Sequence, residues 1–171
     1  MRYKVLVVDD FLMSRQVFEN AIKMSAEFEL AASLAFAAEA VRYVGQHSVD
    51  LCIMDIVMTY GVNGLTAAAN IKAACPSVKL LIVTSMPEVS YIDRARQIRV
   101  ESFWYKEVQE RPLLEVMQRT MAGEHIYPDS APEVMLGNAV STEFTEKELE
   151  VLSHPYRNSI HYSKQAAPTA V

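Results

Sequence analysis

Six polar residues that could support phosphate chemistry each follow a short apolar segment of the sequence. Carboxylates that gather in one place repel one another and need a cation, and an all-oxygen cluster beside a phosphate acceptor suits Mg²⁺. A carboxylate can also attack phosphorus and form an aspartyl phosphate. The sequence therefore predicts a magnesium-dependent phosphoryl-transfer site built from residues far apart along the chain. They are Asp9 and Asp10, Asp55, Thr84 and Ser85, and Lys106.

Phosphoryl transfer depends on positioning and charge neutralisation more than on covalent chemistry. The cation would neutralise one side of the transferring group, and the Lys106 ammonium group would neutralise the other. The Thr84 hydroxyl can donate a hydrogen bond to a phosphoryl oxygen. Taken singly, these residues also fit ordinary roles, such as a helix cap for Asp9 and Asp10 or a surface charge for Lys106. Their placement at four predicted strand ends favours the site.

Five short apolar segments alternate with five longer segments that have helical spacing. Runs such as Val5–Val8 and Leu80–Val83 are apolar at every position, which is typical of strands buried on both faces. The alternation predicts a parallel sheet with helices on both sides, and the carboxyl ends of its strands meet at one edge. The predicted strands are Tyr3–Val8, Phe28–Ser33, Leu51–Met54, Leu80–Val83 and Ser102–Tyr105, and the predicted helices are Met13–Met24, Ala37–Gln46, Leu65–Ala74, Val89–Ile98 and Arg111–Met121.

The composition excludes several classes of protein. The chain has 171 residues and a formal net charge of −5, so it is not a basic nucleic-acid coat. The two cysteines, Cys52 and Cys75, are too few for a disulfide framework and are predicted to be reduced and buried. No apolar run reaches the ~18 residues of a membrane span, and the apolar run at residues 5–8 is too short for a signal peptide. We therefore expect a cytoplasmic protein without a membrane partner.

The composition changes after Gly123. Pro128–Pro132 carries two prolines and turn-forming residues, which predicts a linker. Thr145–Glu148 has a capping-box pattern that opens a short amphipathic stretch, and Pro155 ends any helix begun there. Residues 155–171 have little periodicity and are predicted to be disordered.

Four short motifs surround the polar residues: Val5-Leu-Val-Val-Asp-Asp10, Met54-Asp-Ile-Val-Met58, Ile82-Val-Thr-Ser85 and Phe103-Trp-Tyr-Lys106. In this order and at these spacings they resemble the receiver domain of two-component response regulators, over about residues 1–122. The resemblance implies an α/β flavodoxin-like (βα)5 fold with a doubly wound parallel five-stranded sheet. A C-terminal helical or disordered extension would follow it.

The resemblance also implies a role for each residue of the site. Asp55 would be the phospho-acceptor, and Asp9 and Asp10 would join it as carboxylate ligands of Mg²⁺. The main-chain carbonyl of Val57 would be a further ligand. Three more residues would act on the phosphoryl group or respond to it: Lys106 as its partner, Thr84 as the switch hydroxyl, and Phe103 as the aromatic residue that changes rotamer.

A sensor histidine kinase would donate the phosphoryl group to such a domain. The surface of the fourth helix, fifth strand and fifth helix would then change, and a homodimer would form through it. The chain would not be a classical enzyme, because it accepts the phosphoryl group by a self-catalysed transfer and loses it by slow autodephosphorylation.

The C-terminal part extends the resemblance. Leu113–Pro128 looks like the last receiver helix and linker of regulators with a LuxR-type helix-turn-helix, and Phe144–Leu152 looks like the first helix of that DNA-binding domain. No recognition-helix pattern follows, so DNA binding is expected only of a full-length form. The expected organisation is a receiver domain at 1–122, a linker at 123–143, a truncated helix-turn-helix at 144–153 and a disordered tail at 154–171.

Some positions depart from the pattern of the family. Thr59 stands where a proline is usual, and the loop that leads to Gly64 is one residue longer than usual. The glycine- and alanine-rich turn usual before the fifth strand is Ile98–Ser102 here, so Arg99 is a candidate for a positive φ, at a cost on the order of 1 kcal/mol.

The leading hypothesis is a phosphorylation-switched regulator of transcription. The alternative is a stand-alone receiver that acts as a protein-interaction module without binding DNA. An aspartate-nucleophile phosphatase is disfavoured because Asp9 and Asp10 are adjacent, whereas those enzymes carry an Asp-x-Asp pattern on the first strand. A dinucleotide-binding protein is disfavoured because no Gly-x-Gly-x-x-Gly follows the first strand.

Overall fold

The computed structural model describes residues 1–59, 63–106 and 112–132, Thr145, and the main chain of residues 135–136 and 139–140. Along the first 121 residues, five strands alternate with five helices, and their bounds lie within two residues of the predicted ones. The strands are β1 (Tyr3–Val8), β2 (Phe28–Leu34), β3 (Leu51–Asp55), β4 (Lys79–Thr84) and β5 (Ser102–Tyr105), and the helices are α1 (Leu12–Met24), α2 (Ala37–Gln46), α3 (Gly64–Ala74), α4 (Val89–Gln97) and α5 (Leu113–Met121).

The strands form one parallel sheet in the order β2-β1-β3-β4-β5. This is the strand order of flavodoxin-like folds, so the predicted fold class is confirmed. The order reverses between β1 and β3, which opens a crevice at the carboxyl ends of these two neighbouring strands. The runs Val5–Val8 and Leu80–Val83 are fully buried, because helices cover both faces of the sheet.

Two clusters of buried apolar side chains cover the two faces of the sheet. Successive residues of a strand point to opposite faces, so each strand contributes to both clusters. Leu6 and Phe103 belong to the cluster that packs against α2, α3 and α4. Val7 and Trp104 belong to the cluster that packs against α1 and α5. Phe103 therefore lies on the same side of the sheet as α4. The family resemblance implies that the residue at this position responds to phosphorylation.

The connection from α4 to β5 contains Arg99, the candidate for a positive φ. Arg99 has a φ of 59°, and it is the described non-glycine residue with a positive φ. The Arg99 and Val100 N–H groups donate to the carbonyls of Arg96 and Ala95, which ends the helix. The strained residue thus turns the chain from α4 into β5.

The segment after α5 returns to the sheet. The chain turns at Gly123, whose φ is +98°, and runs beside β5, where Ile126 forms a parallel bridge with Ser102. Two short strands, β6 (Met135–Leu136) and β7 (Ala139–Val140), then pair with each other in the antiparallel direction. The helix predicted at 144–153 and the tail predicted at 154–171 lie outside the described residues, apart from Thr145.

The prediction that both cysteines are buried holds for Cys52 only. Cys52 is buried, Cys75 is half-buried, and both thiols are free. Within the described ranges, the helices are too short or too polar to cross a membrane.

Candidate functional site

Three carboxylates meet at the carboxyl ends of β1 and β3. One oxygen from each of Asp9, Asp10 and Asp55 lies within 4.8 Å of the others. The two strands are hydrogen-bonded neighbours, and Val8 at the end of β1 pairs with Met54 of β3, so the residues that follow become adjacent. Asp9 is fully buried and Asp55 is 3% exposed. The fold therefore brings together the three carboxylates that the sequence predicted as a cluster.

Main-chain groups hold two of these carboxylates in place. Asp9 Oδ1 accepts a hydrogen bond from the N–H of Phe11 at 2.8 Å, which fixes the turn between β1 and α1. Asp10 Oδ2 accepts one from the N–H of Thr59 at 2.5 Å, which ties this turn to the loop after β3. Thr59, which replaces the proline usual in the family, thus supplies a donor that proline lacks.

Lys106 lies between two of the carboxylates. Its Nζ is 2.6 Å from Asp9 Oδ2 and 3.1 Å from Asp55 Oδ2. Burial alone would lower the pKa of Lys106, but the charges of Asp55 and Asp9 and their hydrogen bonds outweigh it and raise the pKa above its usual range. The ammonium group therefore stays charged at neutral pH, and its stabilising contribution is lost only as the pH rises through that elevated pKa.

Thr84 ends β4 beside this cluster and is fully buried. Its Oγ1 accepts a hydrogen bond from the N–H of Met86 at 3.1 Å, so the hydroxyl supports the turn that leads to α4. Its carbonyl accepts from the N–H of Lys106 at 3.0 Å. The Thr84 hydroxyl keeps its own proton for donation. Ser85 follows it and is half-buried.

The loop between β3 and α3 depends on a glycine whose role the sequence analysis missed. The Gly64 N–H donates to the carbonyl of Ile56 at 2.9 Å, and a Cβ at Gly64 would lie 1.8 Å from the carbonyl oxygen of Asp55. Asn63 caps the helix by accepting from the N–H of Leu65. The Asn-Gly pair was the available signal, since this pair marks tight turns. Val57 lies in the same loop, half-buried.

Phe103 lies in β5, three residues before Lys106, and is 1% exposed. Its ring packs edge-on against Tyr105, with centroids 5.1 Å apart, and stacks on Tyr127, with centroids 6.4 Å apart and planes at 27°. Tyr127 was not singled out from the sequence. No local pattern could reveal its contact, because the segment that carries it returns to β5 from beyond α5.

The geometry fits Mg²⁺. The donor set consists of oxygen atoms, the three carboxylates are held close together, and Lys106 already compensates part of their charge. Magnesium prefers such oxygen ligands and keeps waters and phosphate oxygens in the rest of its shell. Asp9, Asp10 and Asp55 would hold the ion.

Comparisons with known proteins agree with this geometry. Residues 5–118 match the family described as the response regulator receiver domain. The response regulator protein VraR of Staphylococcus aureus (strain Mu3 / ATCC 700698) is 28% identical over 160 residues, which cover 89% of this chain and 75% of that protein.

Solved structures share the fold. A LuxR-family two-component response regulator from Aurantimonas sp. SI85-9A1 matches with a TM-score of 0.69 and 20% identity, over 77% of this chain and 91% of that chain. A LuxR-family DNA-binding response regulator from Staphylococcus aureus matches with a TM-score of 0.65 and 25% identity, over 70% of this chain and 98% of that chain. From its sequence match and its strand order, the chain belongs to the response regulator receiver domain family.

Proposed function

We propose that this chain is a phosphorylation-switched response regulator in which Asp55 accepts a phosphoryl group from a sensor histidine kinase. The observation that carries the proposal is the position of Asp55. Its carboxylate lies in a three-carboxylate cluster and is 3.1 Å from the Lys106 ammonium group. A carboxylate in this setting is both available as a nucleophile and close to a cation that can neutralise the incoming group.

In the transfer, an oxygen of Asp55 attacks phosphorus of the phosphohistidine and forms a P–O bond. The P–N bond breaks, and its electron pair leaves with the imidazole nitrogen, which takes up a proton. Mg²⁺, held by Asp9, Asp10, Asp55 and the main-chain carbonyl of Val57, would supply charge neutralisation on one side of the phosphoryl group. Lys106 would supply it on the other, exchanging its contact with Asp55 for a phosphoryl oxygen.

The response to the phosphoryl group starts at Thr84. Its hydroxyl proton is directed to a phosphoryl oxygen when the side chain turns toward Asp55, and Met86 then loses the acceptor of its N–H. Phe103, which faces the same side of the sheet, moves into the space that Thr84 leaves. A local change in charge is thereby converted into a change near α4 and β5.

The output is regulation of transcription, because one relative is a LuxR-family DNA-binding response regulator. We propose that a full-length form binds DNA through a C-terminal helix-turn-helix, and that the receiver forms a homodimer through the face of α4, β5 and α5. The described segment beside β5 lies along this face, so pairing through it must include or displace that segment.

Incubation with acetyl phosphate and Mg²⁺ tests the phospho-acceptor. We expect the mass of one phosphoryl group to be added to the wild-type chain and to the control Asp93→Asn, which changes an exposed carboxylate of α4. Asp55→Asn is expected to keep the fold and to gain no mass, since the amide is nearly isosteric but is not a nucleophile. Phosphorylation of Asp55→Asn at the wild-type rate would assign the acceptor to another residue.

A further inference from the structure

The residues that follow α5 form a short segment that closes over the outer edge of β5. We name this segment, Glu124–Tyr127, the strap. The Phe103 N–H donates to the carbonyl of Ile126 at 2.8 Å, and the Ile126 N–H donates to Ser102 Oγ at 3.3 Å. The strap is therefore tied to β5, the strand that carries Phe103, by one main-chain hydrogen bond and one bond to a side-chain hydroxyl.

Buried hydroxyls and an ion pair connect the strap to β5 and α5. Ser102 Oγ is 2.7 Å from Thr120 Oγ1, and Thr120 donates to the carbonyl of Val116 at 2.6 Å, which links β5, α5 and the strap. Arg119 of α5 contacts Glu124 at 2.7 Å. The start of the strap is thus fixed to α5, and its far end carries Tyr127.

Tyr127 contacts α4, the turn that follows α4, and β5. Its hydroxyl donates to the carbonyl of Val100 at 2.6 Å, and its ring stacks on Phe103. The Arg96 guanidinium group of α4 lies 4.4 Å from the centre of the ring, within the range of a cation–π contact. Burial raises the pKa of Tyr127 to about 12 against the opposing charge of Arg96, in keeping with a hydroxyl withdrawn from water.

These contacts exist in the state in which Lys106 is paired with Asp9 and Asp55 and in which Thr84 supports Met86. That is the arrangement without a phosphoryl group. A rotamer change that moves the Phe103 ring toward the site withdraws it from the Tyr127 ring and removes one of the contacts that hold the strap against β5. The docked strap therefore makes its full set of contacts only when the Phe103 ring is in the position seen here.

We infer that the strap reports the state of the site: Tyr127 is docked on Phe103 and α4 while Asp55 is unmodified, and it is released when Asp55 carries a phosphoryl group. This inference rests on the proposed function. Coupling between two sites is reciprocal. If occupation of the site weakens the docking of the strap by a given factor, loss of the docked strap must raise the affinity of the site by that same factor. Release of the strap would also uncover the face of α4, β5 and α5.

Beryllofluoride with Mg²⁺ is the probe, used on the full chain. In the wild type we expect its binding to accelerate amide hydrogen exchange at Phe103 and Ile126 by at least about fivefold, the lower end of usual allosteric coupling. Tyr127→Ala should raise the apparent affinity for beryllofluoride by at least about fivefold. Tyr127→Phe, which keeps the ring but loses the bond to Val100, should give an intermediate increase.

Tyr43→Ala is the matched control. Its hydroxyl also donates to a main-chain carbonyl, that of Ala31 at 3.0 Å, and its ring also stacks on a neighbour, His47, but on α2. We expect its beryllofluoride affinity to equal that of the wild type. Equal affinities in Tyr127→Ala and Tyr43→Ala, or unchanged exchange at Phe103 and Ile126 in the wild type, would make the strap a structural element only. Absence of beryllofluoride binding in the wild type would overturn the proposed function and this inference together.

Discussion

Lys106 is the ammonium group that balances two carboxylates at the edge of the sheet, one of which is fully buried. Removing one partner from a buried ion pair costs about 3 kcal/mol or more. Lys106→Met should therefore lower the free energy of unfolding by about 3 kcal/mol at pH 8. The loss should shrink at pH 5, because carboxylates that repel each other take up protons more readily. Urea denaturation at the two pH values measures both effects.

Lys79→Met is the control for this experiment. The Lys79 Nζ donates to the carbonyls of Thr120 and Met121 at the end of α5, at 2.8 and 3.2 Å. Its removal should cost the same at both pH values, because its two hydrogen-bond acceptors are main-chain carbonyls, which do not titrate. Identical pH dependence in the two variants would contradict the role assigned to Lys106.

Tyr105 carries a hydroxyl that is buried without a hydrogen-bond partner in the described part of the chain. Burial, and then the charge of Glu88, raise the pKa of this phenol. A buried polar group without a partner costs about 1–3 kcal/mol, so Tyr105→Phe should raise the free energy of unfolding by about 1 kcal/mol. Tyr127→Phe, which breaks a bond to Val100, should lower it by a similar amount. Denaturation curves with shifts of the same sign in both variants would contradict this reading.

Among the described glycines, Gly64 at the start of α3 has the least room for an added methyl group. Gly64→Ala places a Cβ 1.8 Å from the carbonyl oxygen of Asp55. Relieving that overlap moves the loop after β3, at a cost of about 1–3 kcal/mol. Gly45→Ala in α2 is the matched control, since nothing lies within 4 Å of its Cβ. It should stabilise the chain by about 0.5–1 kcal/mol, because alanine favours the helix. Opposite shifts of the urea midpoint are expected, and stabilisation by both variants would contradict the overlap.

The sequence predicted the elements well where the signal was local. The fully apolar run Val5–Val8 and the polar residues that follow it indicated both a buried strand and its site edge. Arg99 was a candidate for a positive φ, because the usual small residues are missing from that turn, and its φ is 59°. The contacts of Gly64 and Tyr127 were not, since each depends on a segment that is distant in sequence or on an approach of two main chains.

For the whole molecule, ligand binding should act as a stabilising force. A ligand that binds only the folded state, present at 100 times its dissociation constant, adds about 2.7 kcal/mol to the free energy of unfolding. Mg²⁺ should therefore raise the melting temperature of the wild type and of Asp93→Ala. Asp10→Ala should show little response and should be slightly more stable without the metal, because one repelling carboxylate is gone. Differential scanning calorimetry measures these melting temperatures. If Mg²⁺ raised the melting temperature of Asp10→Ala as much as that of the wild type, Asp10 would not be a ligand of the site.

The strap also determines how a fragment of this chain would behave in solution. Cutting after Ala122 would remove Ile126 and leave the N–H of Phe103 without its acceptor along β5. An uncovered edge strand is a template for pairing with another chain. Such a fragment should self-associate edge to edge as its concentration rises, whereas one ending after Pro132 should stay dispersed in light-scattering measurements. We therefore expect the strap, Glu124–Tyr127, to prevent aggregation through the edge of β5.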